Sequence, residues 1–597
     1  MSITGWLNKL REGFARYGDS VYMVGELSLC ALFMAGSGTP FQKATQVLLF
    51  ALSACVMVCP QQRRDYIRSV SGGVWHKALL VFLYLWGGFA LVGQRIFIFP
   101  LDVLPSLRKV AVFVLAVLWF VPVTNTGLWL LHVAGERLPG WGKRKLPLPW
   151  FCAACLMLLL IPAAVHLIAF NPGISSMDTY SCMVENAKNL RGMEDWHPAF
   201  YCMLLRAVQH VWDSTYPVIF LQWALWGYVF LDLFLYLRKK GLGDALLLGT
   251  AFVTGISPGN FIDLNTIWKD IPYALCLLWA MITAAKLTLD KDIYRGRWYV
   301  YAELAAALTG IYLLRKNGVV PFLCIALALL LALARNWKIY ASLGLAAALV
   351  LTVKGPVYSA LEVQDVGRRG MYIGLGQDIL GVYYAGGDLS PETMEIVRAL
   401  TFGEPEEFQY RPNYASSSYE VDVSPGEFIR CYLDTFFRHP LRMIQAVTAR
   451  EDTLWNIFPG EGTKMGCVNY NGNMDGWEDW NQYYPAHQPN FLTKIVAPLA
   501  GWCRDIQIIA MSQWRSGLWT LLGLWVVASL LLGRREPLAF LWVIITPIAG
   551  HILGLLLSTG WSDFRYFWPL NLMNGALLLL ALAAVSTAKT KTEEAPE

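Results

Sequence analysis

The sequence is poor in charged residues. Lys, Arg, Asp and Glu make up 15% of its 597 residues, whereas soluble globular proteins average about 25%. Together with a hydrophobic fraction of 56% and a mean hydropathy of +0.43, this shortage excludes an ordinary soluble domain and indicates a chain that crosses a bilayer repeatedly. The net charge of +5 is spread over short loops. The sequence has no basic patch of the kind that binds nucleic acid.

Several other features are missing. We find no P-loop, no HExxH zinc motif and no Rossmann fingerprint. Cys152 and Cys155 form a CxxC inside an apolar stretch, but zinc needs further ligands that are absent there, so we expect no metal. No cleavable signal peptide is evident, and we expect the basic amphipathic stretch 1–22 to form a cytosolic surface helix.

Apolar stretches recur along the chain, and about fourteen of them could cross a membrane. They lie near 21–37, 45–59, 78–98, 110–132, 150–170, 217–237, 243–257, 270–287, 298–314, 319–334, 339–354, 516–533, 537–557 and 567–586. Lys and Arg cluster at 61–68, 142–145, 238–240, 290–297, 335–338 and 533–535. With a cytosolic N-terminus, all these clusters fall inside, as the positive-inside rule requires. We therefore expect a multi-pass protein of the plasma (inner) membrane with both termini in the cytosol.

The expected fold class is an all-α polytopic membrane protein with a mixed extracytoplasmic domain. The predicted regions are an N-terminal four-helix membrane scaffold (1–146), a membrane core with an external loop at 171–216 (147–354), an extracytoplasmic domain (355–515), and C-terminal membrane helices with a cytosolic tail (516–597). Within the external loop, the short apolar segment 197–212 is expected to lie on the outer surface as an interfacial helix. The loops at 258–269, 315–318 and 558–566 fall on the same outer face.

The external loop contains several polar candidates. Asp178 follows a Pro-Gly turn and could act as a general base or hold a metal, or it could simply cap a helix. Glu185 lies seven residues later, which would place both carboxylates on one helix face. Asp195 could cap the next helix, Trp196 could anchor it at the interface, and His197 could line a cavity.

Three further motifs bring polar side chains to the same predicted face. They are Trp268-Lys269-Asp270, Arg315-Lys316-Asn317-Gly318 and Asp563-Phe564-Arg565-Tyr566. Cations on the outer face run against the positive-inside rule, and a bound phosphate would explain them. The alternatives are local ion pairs for Lys269 and Arg565 with the neighbouring Asp, and a helix C-terminus with a Gly cap for Arg315-Lys316.

In combination, these motifs resemble those of a known family. The pattern comprises a span that enters an external loop with an early Asp178, His197-Pro198 before a surface helix, Trp268-Lys-Asp-Ile-Pro-Tyr273, Leu314-Arg-Lys-Asn-Gly318, and Arg565-Tyr566 before the last span. It resembles the GT-C superfamily of membrane glycosyltransferases, and most of all a poorly characterised bacterial branch of it. The resemblance covers roughly 150–355 and 516–585.

The resemblance implies transfer of a hexosyl or pentosyl group, with inversion, from a polyprenyl-phosphate carrier on the extracytoplasmic face. The acceptor would be a cell-envelope glycan, lipid or protein. By this resemblance Asp178 is the base and His197 lies near the donor, while position makes Arg315, Lys316 and Arg565 candidates to hold the phosphate. The remaining candidates for substrate contact are Glu185, Asp195, Trp196, Lys269, Asp270 and Tyr566. No cofactor is certain. A divalent Mg or Mn on Asp178 stays open, because this chain has Asp-Thr where some members carry paired acids, and one Pro after the His where many carry two.

Two other functions remain open at this point. A polysaccharide polymerase or ligase would use Arg or His residues of the large external block, where Arg430, Arg438 and His439 are available. A glycolipid transporter or flippase would need polar residues distributed through the spans and would not need Asp178.

Overall fold

The computed structural model describes residues 60–93, 107–138, 145–174, 176–186, 192–365, 367–412, 421, 423–457, 489–505, 512–533, 538–560 and 562–593. Within these ranges the chain is helical and has no strand, only two isolated bridges. This confirms the predicted all-α class. The stretch 1–22 and the first two predicted spans lie outside the described residues.

The helices of seven or more residues are numbered here in chain order. They are α1 (Pro60–Val70), α2 (Val74–Gly93), α3 (Leu107–Arg137), α4 (Leu148–Ala169), α5 (Ala199–Val211), α6 (Tyr216–Lys239), α7 (Asp244–Ile256), α8 (Pro258–Leu264), α9 (Asp270–Leu289), α10 (Trp298–Leu314), α11 (Val319–Ala332), α12 (Trp337–Thr352), α13 (Gly367–Tyr384), α14 (Pro391–Leu400), α15 (Pro425–Arg438), α16 (Pro440–Arg450), α17 (Thr493–Asp505), α18 (Ser516–Leu532), α19 (Leu538–Ser558) and α20 (Phe564–Glu593).

Many of these helices are long and apolar enough to cross a membrane. In the described part of the chain there are 8 such helices, or 9 if the bent pair α7–α8 forms one span. The 8 are α2, α3, α4, α6, α9, α12, α19 and α20. Helices α10, α11 and α18 are apolar but shorter. The membrane character is therefore confirmed, while the expected number of about fourteen spans stays a prediction.

Helix α8 occupies most of the segment 258–269, which we expected to be an external loop, while α7 lies in the stretch 243–257 predicted as a span. The two helices meet at an angle of 64°. The break lies in Gly255-Ile-Ser-Pro-Gly259, which has the spacing of a nucleophile elbow. Here it joins two helices rather than a strand and a helix, and the Ser257 hydroxyl donates to the Val253 carbonyl at 2.7 Å. The segment therefore redirects the chain towards α9.

Helix α9 lies at the centre of the described helices. It is buried along nearly its whole length and packs against α6, α10, α19 and α20. Its first turn carries Asp270, and Lys269 immediately precedes it. This central position brings both residues next to loops from distant parts of the chain.

The block 355–515 is helical where the structure describes it, in helices α13–α17. The expectation of a mixed domain is wrong for these residues, because the described part of the block forms helices and no strand. Helix α13 packs against both α16 and the membrane helix α19. The predicted boundary near 354 falls within a helical stretch, since α12 continues through a π-helical segment, Val353–Val357.

Candidate functional site

Two loops lie side by side at one end of the helical core. The Thr179 hydroxyl donates to the Ile267 carbonyl at 3.1 Å. The Trp268 indole N–H donates to the Ser176 hydroxyl at 2.6 Å. These contacts hold the loop after α4 against the segment that leads into α9, although the two are about ninety residues apart in sequence.

Asp178 sits at the centre of an ion cluster formed by these loops and the start of α20. Its Oδ2 accepts from Arg565 Nη1 at 2.6 Å and from Lys269 Nζ at 3.3 Å. Burial raises the pKa of Asp178, but the Arg565 and Lys269 cations outweigh it and hold that pKa well below its usual range. The side chain remains 25% exposed. Asp178 is therefore an ionised carboxylate that is accessible to solvent.

His197 completes the cluster as a neutral group. Burial, reinforced by the Lys269 ammonium, lowers the pKa of His197 to about 3. Its Nδ1 lies 3.0 Å from Lys269 Nζ. An ammonium can only donate, so Nδ1 accepts and the ring proton belongs on Nε2.

A second ion pair lies beside the first. Arg315 Nη1 bonds Asp270, and Arg315 Nε donates to the Asn317 amide oxygen at 2.8 Å. The guanidinium also lies over the Tyr566 ring, 4.3 Å from its centroid. The simple Lys269–Asp270 pair considered from the sequence is therefore wrong, since Lys269 pairs with Asp178 and Asp270 with Arg315.

Lys316 differs from the other cations of the site, because none of the ion pairs described above includes its ammonium. Its Nζ is buried and has no hydrogen-bond partner among the described residues; it lies 5.7 Å from the centroid of the Trp196 ring. Helix α10 does end here, at Leu314, but Gly318 is not its cap. Gly318 has a φ of −61°, and glycine is required because a Cβ would come within 1.8 Å of the Ile311 carbonyl oxygen.

These side chains meet around one cavity of about 490 Å³. Its charged end is formed by Asp178, Lys269, Arg315, Lys316 and Arg565, next to Trp196, His197 and Tyr566. An apolar side is formed by Val319, Val320, Ile373 and Leu557. The structure thus brings together eight of the predicted site residues, and cations outnumber carboxylates in the cavity wall.

Three predicted site residues do not line this cavity. Asp270 lies behind Arg315. Asp195 accepts from the Ala199 N–H at 2.8 Å and so caps α5, and its other oxygen bonds Lys354 Nζ at 3.1 Å. The Glu185 side chain lies outside the described part of the structure. The chain there is π-helical over Ser181–Asn186, which removes the regular spacing that placed Glu185 on the face of Asp178.

The side chains around Asp178 are not a suitable set of ligands for a divalent metal. Mg²⁺ and Mn²⁺ prefer several oxygen ligands, whereas Asp178 Oδ2 faces a guanidinium and an ammonium. Among the described residues, no group of three His, Cys, Asp or Glu side chains could hold a metal.

Sequence reasoning missed residues that hold the wall of the cavity. Arg450 of α16 is buried; it pairs with both oxygens of Asp378 at 2.8 and 3.1 Å and donates to the carbonyls of Leu556 and Thr559. Thr559 lines the cavity. Residues of the block 355–515 therefore fix the segment that precedes Arg565. No local pattern predicts such a contact, because it joins residues about one hundred positions apart.

His551 is a second residue that sequence reasoning missed. Its Nδ1 lies 3.0 Å from the Tyr273 hydroxyl, and its Nε2 lies 2.9 Å from the Tyr566 carbonyl. A histidine inside an apolar span is costly and is usually functional or well bonded. The cost of a histidine inside an apolar span could therefore have identified His551 from the sequence.

Comparison with known proteins adds no assignment. The chain matches no family model, no curated protein and no solved structure.

The Arg450 cluster predicts a pH dependence of stability. Burial raises the pKa of Glu451, although the adjacent Arg450 lowers it, and the result is about 7 against an ordinary value of 4.5. The folded state keeps this proton where the unfolded state has released it, so stability falls as pH rises from 4.5 to 7. Over this pH range the free energy of unfolding of the parent should fall by an amount on the order of 1–3 kcal/mol. Glu451→Gln should not show this fall. Thermal unfolding in nanodiscs at several pH values measures it.

Glu395→Gln is the control for this measurement, because Glu395 is an exposed acid of the same block. It should leave the pH dependence of the midpoint unchanged. An equal pH dependence in Glu451→Gln and the parent would contradict the assignment.

Proposed function

We propose that this protein is a membrane glycosyltransferase of the GT-C type. It moves a hexosyl or pentosyl group from a polyprenyl-phosphate carrier to a hydroxyl of an envelope glycan, lipid or protein. The reaction takes place on the extracytoplasmic face of the plasma membrane, with both chain termini in the cytosol. The observation that carries the proposal is a single cavity that combines an ionised carboxylate, surplus cations and an apolar side.

The cations of the cavity suit a phosphate. A glycosyl phosphodiester carries one negative charge, and the polyprenyl phosphate that leaves carries more, so fixed donors stabilise the charge as it develops. Lys316 is the cation best placed to donate to the phosphate, because its buried ammonium lacks a hydrogen bond to any described residue. Arg565 and Lys269 also line the cavity, where both contact Asp178.

The apolar side suits an isoprenoid chain. Val319 and Val320 begin α11, Leu557 lies in the last turn of α19, and both helices are apolar. The two helices approach closely, since a Cβ on Gly550 would come within 2.8 Å of Pro321 Cα. A lipid carrier could therefore lie along this pair of helices with its phosphate at the charged end.

The electrostatics of Asp178 suggest how the base is activated. Its pKa is held low by Arg565 and Lys269, and a carboxylate of low pKa is a weak base. A donor phosphate would draw both cations towards itself and so raise the proton affinity of Asp178. The acceptor hydroxyl then gives its proton to Asp178 while its oxygen bonds the anomeric carbon. The bond from that carbon to the phosphate oxygen breaks, and the electron pair leaves with the polyprenyl phosphate.

The alternatives are less well supported by the geometry. Arg430, Arg438 and His439, which a polymerase or ligase would use, do not line the cavity; Arg438 pairs with Asp434 and His439 with Asp388. A transporter would draw on charges inside the spans. Lys286 of α9 does bond Asp232 at 2.6 Å and Glu303 at 3.5 Å, but these residues lie at the end of α9 opposite to Lys269.

The test is a transfer assay with purified protein in proteoliposomes. Polyprenyl-phosphate sugars labelled in the sugar are supplied together with envelope extracts as acceptor. The proposal expects label in the acceptor and an equal amount of free polyprenyl phosphate. Transfer of multi-sugar blocks would favour a polymerase, and movement of intact glycolipid between leaflets would favour a flippase; either result overturns the proposal.

The cations in the cavity wall should contribute to the affinity for polyprenyl phosphate. We expect Lys316→Met and Arg315→Ala each to weaken binding of polyprenyl phosphate by about 10–100-fold, the value of a charge-assisted hydrogen bond. Lys316→Met is the cleaner change, because Arg315→Ala also leaves the buried Asp270 unpaired. Lys354→Met is the matched control, since Lys354 pairs with Asp195 and does not line the cavity. Equal affinities for the two Lys→Met variants would argue against contact between Lys316 and the phosphate.

A further inference from the structure

Helix α17 of the external block exposes an apolar stripe. Phe491 lies just before the helix, and Ile495 and Leu499 lie within it. Their side chains are 74%, 43% and 52% exposed. Residues four apart share one face of a helix, so the three form a continuous row. Such a row in water is costly and calls for a partner.

The position of this stripe is fixed by the end of a membrane helix. The Asn490 amide donates to the Ile168 carbonyl, and the Thr493 hydroxyl donates to the Ala169 carbonyl, both at 2.7 Å. Ile168 and Ala169 form the last turn of α4, a candidate span over Leu148–Ala169. Helix α17 therefore begins directly at the end of α4.

The surface of α4 indicates what covers the stripe. Ile161 and Ile168 of α4 are 50% and 56% exposed, and in a membrane-spanning helix such side chains contact acyl chains. The stripe begins at the residue that follows Asn490, which is itself bonded to Ile168. The lipid-facing surface of α4 thus continues onto α17.

We infer that α17 is an interfacial helix that lies on the outer leaflet of the bilayer, with Phe491, Ile495 and Leu499 in the lipid. The partner of this surface is a phospholipid layer. Lys494 is exposed next to the stripe and can reach lipid phosphates with its ammonium. A helix of 13 residues is too short to span the bilayer, and this one has the amphipathic pattern of interfacial helices.

This placement brings α17 close to the neighbouring loop. The chain that leaves α4 runs from Phe170 into the segment that carries Asp178. Because α17 is bonded to the last turn of α4, it lies next to the start of that segment. The choice of the outer leaflet rests on the proposed orientation of the chain, but the inference does not depend on the chemistry of the cavity.

Fluorescence quenching tests the inference on the full-length protein in nanodiscs of phosphatidylethanolamine and phosphatidylglycerol. A single cysteine is introduced at Ile495, Leu499 or Ala497, in a variant whose native cysteines are replaced, and is labelled with NBD. Ala497 is exposed on the opposite side of the helix and controls for any affinity of the dye for lipid. We expect doxyl-labelled lipids to remove most of the emission at 495 and 499, with a blue shift, while iodide in the water quenches only the label at 497.

Two results would overturn the inference. If iodide quenches the labels at 495 and 499 as strongly as the label at 497, the stripe faces water. If neither quencher reaches 495 and 499, the stripe is covered by protein, either by another part of this chain or by a second copy.

Discussion

Asp178→Asn should lower sugar transfer by about 10²–10⁴-fold, the usual contribution of a general base. The amide keeps the shape of the carboxylate but cannot take the proton of the acceptor hydroxyl. It also leaves Arg565 and Lys269 without their shared anion. The measurement is the initial rate of transfer in proteoliposomes supplied with lipid-linked sugar, normalised to the amount of protein.

Asp563→Asn provides the matched control. Asp563 also pairs with Arg565, at 3.3 Å, but does not line the cavity. The same Asp-to-Asn change there should reduce transfer far less than the change at Asp178. A rate for Asp178→Asn within a few-fold of the parent would refute the role of Asp178 as base.

The residues that face the cavity were largely predictable, for a physical reason. In a chain with so few charges, each polar motif beside an apolar span has a cost and so needs an explanation. The positive-inside rule places the motifs around Asp178, Lys269, Arg315 and Arg565 on one face. The structure gathers all of these side chains around one cavity.

The pairing of these charges was not predictable from sequence order. Lys269 and Asp270 are adjacent, but successive side chains at the start of a helix point about 100° apart. Lys269 therefore faces Asp178, while Asp270 faces Arg315. Which carboxylate is exposed and which is buried depends on tertiary contacts that the local sequence does not encode.

The same limit applies to the elements around the site. Nothing local to Arg450 indicates that it bonds the end of α19, and nothing local to Asn490 indicates that it bonds the end of α4. The bend between α7 and α8 was hidden by a composition that suits a loop, since Ser257-Pro258-Gly259 is typical of turns. Here proline instead begins a helix, as it commonly does.

Arg565→Gln should reduce turnover by about 10²–10³-fold, a typical cost of removing a donor that stabilises charge in the transition state. The Arg565 guanidinium donates to Asp178 at 2.6 Å and to the Tyr566 hydroxyl at 2.8 Å, so it can shift between the carboxylate and a phosphate. Glutamine can still donate one hydrogen bond but carries no charge. Steady-state rates with a saturating lipid-linked sugar measure the loss.

The pH profile separates this role from a merely structural one. In the parent, Arg565 holds the pKa of Asp178 well below its usual range, so kcat/KM should show no acid limb from this group near neutral pH. Without the cation the pKa of Asp178 rises, and an acid limb should appear at higher pH in Arg565→Gln. Arg565→Lys keeps the positive charge, so it should return the acid limb to low pH and recover part of the rate. If Arg565→Gln lowers the rate but, like the parent, shows no acid limb near neutral pH, the guanidinium does not control the ionisation of Asp178, and activation of the base by the donor phosphate must be abandoned.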